Sequence, residues 1–156
     1  MTPTISRLCL HTDDDRFIRR GVNADAPTAS GLREELSRWL RRGPVMDMTR
    51  LCDVVLAFNE ALANAAEFAY TDEEPGTMDV EAVRDVGRRS ITVTVSDRGH
   101  WRENNPLNRQ RSRGRGIPLM RMLADSVTID TSGLGTNVCL RFDDVLTEGP
   151  LPAGVC

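Results

Sequence analysis

The sequence contains no lysine, because all 20 of its basic residues are arginine. A phosphate loop of the Gly-Lys-Ser/Thr type is therefore excluded, since its lysine has no counterpart here. Aromatic residues make up only 4% of the 156 residues, so the hydrophobic core must be mainly aliphatic. No apolar run approaches the ~20 residues that a membrane-spanning helix requires. These absences favour a soluble domain with an aliphatic core and no membrane association.

The four cysteines are scattered and form no Cys-x-x-Cys motif, which argues against a zinc site and a disulfide framework. Reduced thiols and an N-terminus without an apolar signal core predict a cytoplasmic protein. The net charge of -3 provides no general attraction to nucleic acid. We expect one domain over residues 21–145, preceded by an extension or linker at 1–20 and followed by a flexible tail at 146–156.

Hydrophobic periodicity predicts an α+β fold. A helix is expected from Thr28, with Thr28 or Ser30 as its cap, to Arg42, before Gly43-Pro44. The further predicted elements are strands at 5–10, 17–22, 90–96, 127–130 and 137–142, a strand edge at 80–87, and a short helix at 117–124. This order suggests a two-layer α/β sandwich, with helices on one face of a mixed, mostly antiparallel sheet.

The clearest predicted element is a helix from near Asp47 or Thr49 to about Tyr70. Its apolar residues fall within a stripe about 100° wide, the usual width of a core-facing surface. The stripe consists of Leu51, Val54, Val55, Phe58, Leu62, Ala65 and Ala69. Polar residues Glu60, Asn64 and Glu67 are expected on the opposite side, beside the small Ala57 and Ala63.

Glu60 and Asn64 lie one helical turn apart, so their side chains should be neighbours. An asparagine oxygen suits Mg²⁺ beside phosphate oxygens, and a nearby carboxylate can accept a proton. A plain solvated helix face would show the same two residues and is the commoner case.

Asp97-Arg-Gly99 follows a predicted strand, where a carboxylate could accept a hydrogen bond from the adenine amine and reject guanine. An ordinary strand-to-turn junction is the alternative.

Two glycine-containing segments complete the set of motifs. Arg113-Gly-Arg-Gly116 precedes the short helix, where exposed amides and arginines could bind phosphate. A flexible linker or a basic patch for nucleic acid is the alternative. Gly135-Thr136 opens the last strand, where the hydroxyl could reach a phosphate or a water near adenine, or simply belong to a hairpin turn.

In this order the four segments resemble the GHKL ATPases, which include gyrase, the heat-shock chaperone, histidine kinases and MutL. Glu60–Tyr70 is similar to their N-box, Asp97-Arg-Gly99 to their first glycine box, and Gly114-Arg-Gly116 to their second. Within that superfamily the chain looks like the anti-sigma-factor serine-protein kinases of bacterial stress and sporulation switches. The resemblance covers roughly residues 20–142.

The resemblance implies ATP and Mg²⁺ as ligands of this fold. Asn64 would hold Mg²⁺, Asp97 would read adenine, and Glu60 would be the catalytic base that takes a proton from a partner's serine. The remaining implied pocket residues are Gly99, Gly114, Gly116 and Thr136 as lining and Arg113 or Arg115 as phosphate contacts. The implied partners are a sequestered sigma factor, a phosphorylated anti-anti-sigma (STAS-type) protein and a second copy of the chain.

The sequence also departs from the family pattern. Phe68 stands where members often carry histidine, and the second glycine box is short. These departures leave open a nucleotide-gated binding switch without significant kinase activity. A third possibility, the catalytic half of a sensor histidine kinase, is disfavoured because no upstream dimerisation helix with a phosphoacceptor histidine is present.

Overall fold

The computed structural model describes residues 15–44, 46–68, 76–98, 116–132 and 135–146, with the side chains of Glu67 and Phe68 excepted. These residues form three helices and five strands, in the α+β order expected from the sequence. The elements are β1 (Arg16–Asn23), α1 (Ala26–Arg42), α2 (Met48–Phe68), β2 (Thr77–Asp85), β3 (Ser90–Asp97), α3 (Gly116–Leu123), β4 (Ser126–Ser132) and β5 (Gly135–Phe142). The strand predicted at residues 5–10 lies outside the described residues.

The strands form one five-stranded sheet in the order β1-β2-β3-β5-β4. Every described strand pair is antiparallel, so the predicted mixed sheet has no parallel pair within the described part. The segment predicted as a strand edge at 80–87 does belong to a strand, β2, but its edge position was wrong, because β2 begins at Thr77 and lies between β1 and β3. Buried and half-buried residues alternate strictly along β2, which is typical of a strand with one covered face. This alternation begins three residues before the predicted start.

The core lies between the inner face of the sheet and the helices. Alternate residues of β2, β3 and β5 supply the sheet side: Met78, Val80, Ala82, Ile91, Val93, Val95, Val138, Leu140 and Phe142 are buried. Opposite-facing neighbours such as Thr92, Thr94 and Cys139 are half-buried. The two-layer sandwich predicted from the sequence is therefore confirmed, and its core is largely aliphatic as expected.

Helix α1 begins one turn earlier than the predicted cap. Asp25 is the N-cap and its carboxylate accepts a hydrogen bond of 2.8 Å from the Thr28 amide, so the expectation of Thr28 or Ser30 as the cap was wrong. Pro27 occupies the first turn, where its missing N–H costs nothing. The apolar positions Leu32, Leu36 and Leu40 are buried.

The C-terminal end of α1 packs against a buried arginine. Arg84 of β2 donates a 3.0 Å hydrogen bond to the Trp39 carbonyl, and its guanidinium lies 4.1 Å from the centre of the Trp39 ring. A Cβ on Gly43 would overlap that guanidinium. Gly43 therefore leaves room for the guanidinium where α1 ends, and the cation lies where helix carbonyls favour positive charge.

Helix α2 is the central helix of its layer and contacts α1 on one side and α3 on the other. Ala57, which was expected on the polar side, is fully buried, and Ala61 is nearly so. Val55, which was expected in the core stripe, is only half-buried. The width of the buried surface was therefore underestimated, because a helix with neighbours on two sides buries more than the stripe that faces the sheet.

Among the described residues, no helix combines the length and hydrophobicity needed to cross a membrane. The proposed limits of the domain stay predictions, although β1 begins at Arg16, inside the expected N-terminal extension.

The packing of β5 against the helices predicts a large effect of truncating Leu140, which is fully buried. Leu140→Ala should lower the free energy of unfolding by about 2–5 kcal/mol, because it removes buried methyl groups and leaves a cavity. Urea denaturation followed by circular dichroism measures this loss. Leu56→Ala is the matched control, since Leu56 of α2 is 43% exposed and its truncation should cost distinctly less. Equal losses would contradict the assigned inner face of the sheet.

The cap of α1 predicts an acid-sensitive contribution to stability. Hydrogen bonds from the Thr28 side chain and then its amide hold the pKa of Asp25 below its ordinary value of 3.8. A carboxyl whose pKa is lower in the folded protein than in the unfolded chain stabilises the fold at any pH above its unfolded-state pKa. This stabilisation is lost as the pH falls through the folded-state pKa. Asp25→Ala should therefore lower the melting temperature at pH 7, and the difference from wild type should shrink below about pH 4. A difference that stays constant from pH 7 to pH 3 would show that the charge contributes nothing.

Candidate functional site

Glu60 and Asn64 project from α2 toward the first residue of α3. Both are half-buried. A Cβ placed on Gly116 would lie 3.2 Å from Oδ1 of Asn64 and 3.3 Å from Oε2 of Glu60. Two side chains from the N-box-like segment and one glycine from the second glycine box therefore meet at a single point.

The helical geometry of α2 accounts for this meeting. Residues four apart lie one above the other on the same side of a helix, so the Glu60 carboxylate and the Asn64 amide face the same neighbour. Glycine at the first position of α3 lets the backbone approach both side chains closely. The amides that begin a helix have no partner within it and favour anions, so α3 brings such donors beside a carboxylate and an amide oxygen.

A second pair of predicted residues meets where β3 and β5 lie side by side. Asp97 is the last residue of β3 and is paired with Thr136 of β5. The Thr136 amide donates a 3.3 Å hydrogen bond to Oδ1 of Asp97, and both residues are only 8% exposed. A buried carboxylate requires hydrogen-bond donors, and this amide is one of them.

Gly135 makes the close approach of these strands possible. Its φ of +142° is a conformation that residues with a side chain rarely adopt. A Cβ at this position would overlap the carbonyl oxygen of Asp97. Any side chain here would therefore push β5 away from the end of β3 and displace both Asp97 and Thr136.

One contact at this end of the sheet was not anticipated from the sequence. The Ser96 hydroxyl donates a 2.6 Å hydrogen bond to Oδ1 of Asn137, on the face of the sheet opposite to the helices. It links β3 and β5 one residue away from the Asp97–Thr136 pair. The only sequence signal is a polar residue in each strand at the outward position, which does not reveal the pairing.

The site residues thus fall into two described groups. Glu60, Asn64 and Gly116 form the first at the interface of α2 and α3, while Asp97 and Thr136 form the second at the ends of β3 and β5. The remaining predicted pocket residues, namely Gly99, Arg113, Gly114 and Arg115, lie outside the described residues. Within the described part of the chain, no group of three or more His, Cys, Asp or Glu side chains is arranged to hold a metal ion.

The strained position of Gly135 predicts a specific loss of stability. Gly135→Ala should lower the free energy of unfolding by at least about 1–3 kcal/mol, because the backbone is unfavourable for alanine and the new Cβ meets the Asp97 carbonyl. Chemical denaturation measures the change. Gly31→Ala in α1 is the matched control, since a Cβ at Gly31 meets nothing within 4 Å and should raise stability by about 0.5–1 kcal/mol. Similar behaviour of the two variants would contradict the close approach of β5 to Asp97.

Two comparisons with known proteins bear on the family and the fold of this chain. Residues 22–142 match a family model described as a histidine kinase-like ATPase domain. The fold is similar to the crystal structure of the RsbU and RsbW domains of Rv1364c from Mycobacterium tuberculosis, with a TM-score of 0.64 and 24% sequence identity. That similarity covers 82% of this chain but only 32% of the other, so the present chain corresponds to about a third of that protein. The matched family model includes both described groups of site residues, and the chain belongs to the histidine kinase-like ATPase domain family.

Proposed function

We propose that this protein binds ATP with Mg²⁺ and acts as an anti-sigma factor with serine-protein kinase activity. It would phosphorylate an anti-anti-sigma protein of the STAS type and sequester a sigma factor. The observation that carries the proposal is the convergence of Glu60 and Asn64 on Gly116 at the start of α3. Membership of the ATPase domain family and similarity to a structure containing an RsbW domain support it. A cytoplasmic homodimer is part of the same proposal.

The residues around Gly116 fit a magnesium-bound nucleotide. Asn64 offers Oδ1 as a neutral oxygen ligand, and Mg²⁺ in nucleotide sites is typically held by few protein oxygens together with phosphates. The absence of a Cβ at Gly116 leaves room close to this oxygen. A bound Mg²⁺ would offset the negative charge of the phosphates during transfer. Asn64 would therefore be the metal ligand, and Gly116 would border the phosphates with the amides at the start of α3.

Asp97 suits recognition of the base. Its carboxylate is buried at the end of β3 and is oriented by the Thr136 amide. A carboxylate in this position accepts a hydrogen bond from the exocyclic amine of adenine and would repel the carbonyl oxygen of guanine. Thr136 would complete this part of the pocket. The predicted contributions of Gly99, Gly114, Arg113 and Arg115 to enclosing the nucleotide belong to the same proposal.

Glu60 would act as the catalytic base. The serine oxygen of the partner forms a bond to the γ-phosphorus, the bond between the γ-phosphorus and the bridging oxygen breaks, and ADP leaves. The serine proton passes to the Glu60 carboxylate. Phosphoryl transfer depends mainly on positioning and charge stabilisation, so a single well-placed carboxylate can suffice.

The assigned base predicts a separation of binding from chemistry. Glu60→Gln should leave binding of Mg-ATP close to that of the wild type, because the amide keeps the shape of the side chain. It should lower the rate of phosphate transfer to a STAS-domain substrate by about 10²- to 10⁴-fold, since the proton acceptor is lost. Calorimetry measures binding, and transfer of radiolabelled phosphate measures the rate. Glu34→Gln, an exposed glutamate of α1, is the matched control and should behave as wild type.

The same assay distinguishes the alternatives. An unchanged transfer rate in Glu60→Gln would remove Glu60 from the mechanism. Tight ATP binding by the wild type without any transfer would favour a nucleotide-gated binding switch. If no adenine nucleotide binds to the wild type, both functions are excluded.

A further inference from the structure

Arg50 in the first turn of α2 links three parts of the molecule. Its Nη2 lies 2.5 Å from Oδ2 of Asp125 and donates a 3.2 Å hydrogen bond to the Asp143 carbonyl. Its Nη1 donates 3.4 Å and 3.5 Å hydrogen bonds to the Leu123 carbonyl and to Asp53. A single guanidinium therefore contacts the end of α3, the turn before β4 and the segment after β5.

The contact with Leu123 places Arg50 at the opposite end of α3 from the candidate site. Leu123 is the last residue of α3, whereas Gly116 is the first and faces Glu60 and Asn64. Because Arg50 and Glu60 are ten residues apart, they lie about 15 Å apart along α2. Helix α3 thus runs antiparallel to α2, with one end at the candidate site and the other at Arg50.

Helix α3 packs against the hydrophobic core through its apolar side chains, and such contacts are non-directional. Of its eight residues only Met120 is fully buried, whereas Pro118, Arg121 and Met122 are exposed. A helix of eight residues is about 12 Å long and behaves as a short rigid rod. A tilt at its C-terminal end would consequently displace its N-terminal end, where a shift of 1 Å changes the spacing of Gly116 from the two α2 side chains.

The contacts at the Arg50 end are directional. Asp125 also accepts a 2.8 Å hydrogen bond from the Asp143 amide and donates its own amide to the Arg141 carbonyl at 2.9 Å. The hydrogen bond from the Asp143 amide, followed by Arg50, lowers the pKa of the Asp125 carboxyl, so it is charged near neutral pH. Arginine presents five N–H donors in a planar fork, whereas the three donors of a lysine share one nitrogen and cannot reach acceptors spread as widely.

We propose that Arg50 is a positioning residue for the nucleotide site, because it holds the C-terminal end of α3 and thereby keeps Gly116 against Glu60 and Asn64. This inference rests on the proposed function. It assigns to Arg50 no contact with nucleotide, metal or partner. Arg50 acts through α3, and it affects the site by fixing the distance from Gly116 to the Glu60 and Asn64 side chains.

Arg50→Gln and Arg50→Lys test this role in the full-length protein. Arg50→Gln should weaken binding of Mg-ATP by about 3- to 30-fold at a temperature where the variant is fully folded. Arg50→Lys should restore little of it, because the fork is needed. Hydrogen exchange should become faster at the amides of residues 120–123, which are bonded within α3, in the nucleotide-free protein, while the amides of β3 and β5 stay protected.

Arg19→Gln is the matched control, since Arg19 of β1 forms an exposed ion pair with Glu35 at 2.8 Å far from α3 in sequence. It should leave ATP binding and the exchange of α3 unchanged. If Arg50→Gln folds poorly, Asp125→Asn removes the charge of the main partner and should weaken ATP binding in the same direction. Lower stability of the Arg50 variants with unchanged ATP affinity and unchanged α3 exchange would overturn the proposal.

The failure of this inference can be told apart from the failure of the proposed function. If the wild type binds no ATP, the proposed function falls, and the exchange of α3 amides alone decides whether Arg50 positions the helix. If the wild type binds ATP and the Arg50 variants bind it equally well, the proposed function stands and the positioning role is excluded.

Discussion

The packing of α2 against the sheet and between two other helices is the constraint on which the rest of the structure depends. Phe58 and Leu62 fill the space above the sheet, while the small Ala57 and Ala61 let neighbouring elements approach closely. The buried side chains of α2 face the sheet and the neighbouring helices, and a half-buried stretch of polar groups lies beside them. Glu60 and Asn64 occupy that stretch, and the start of α3 lies directly beside it. The core and the candidate site are therefore two sides of one helix.

Two glycines set the spacing between the elements that form the candidate site. At Gly116 the absence of a side chain lets the beginning of α3 approach the polar groups of α2. At Gly135 an unusual backbone angle and the absence of a Cβ let β5 lie against the end of β3. In both places the backbone of one element approaches functional groups of another. Such close approach supplies amide donors at short range, which suits a charged and polar ligand such as a nucleotide.

The sequence predicted the fold where local patterns decide it. Strict alternation in β3 and the apolar repeat in α2 follow from one-sided burial, and both elements lie within two residues of their expected bounds. The expected cap of α1 was wrong because several capping residues lie close together in the sequence, and only the chain path shows that Asp25 accepts the bond. The place of β2 inside the sheet was missed because the order of strands is set by pairing with β1 and β3, which no local pattern records.

The sequence by itself determined the fold class, the family resemblance and the neighbourhood of Glu60 and Asn64, because residues four apart on a helix must share a side. Only the tertiary structure decided that Gly116 lies against that pair, that Gly135 brings Thr136 to Asp97, and that Arg50 holds the far end of α3. The two of these contacts that are hydrogen bonds join residues 39 and 73 positions apart in the chain. Local patterns cannot specify them, because they arise when separate elements compete for the same space around one helix and one sheet.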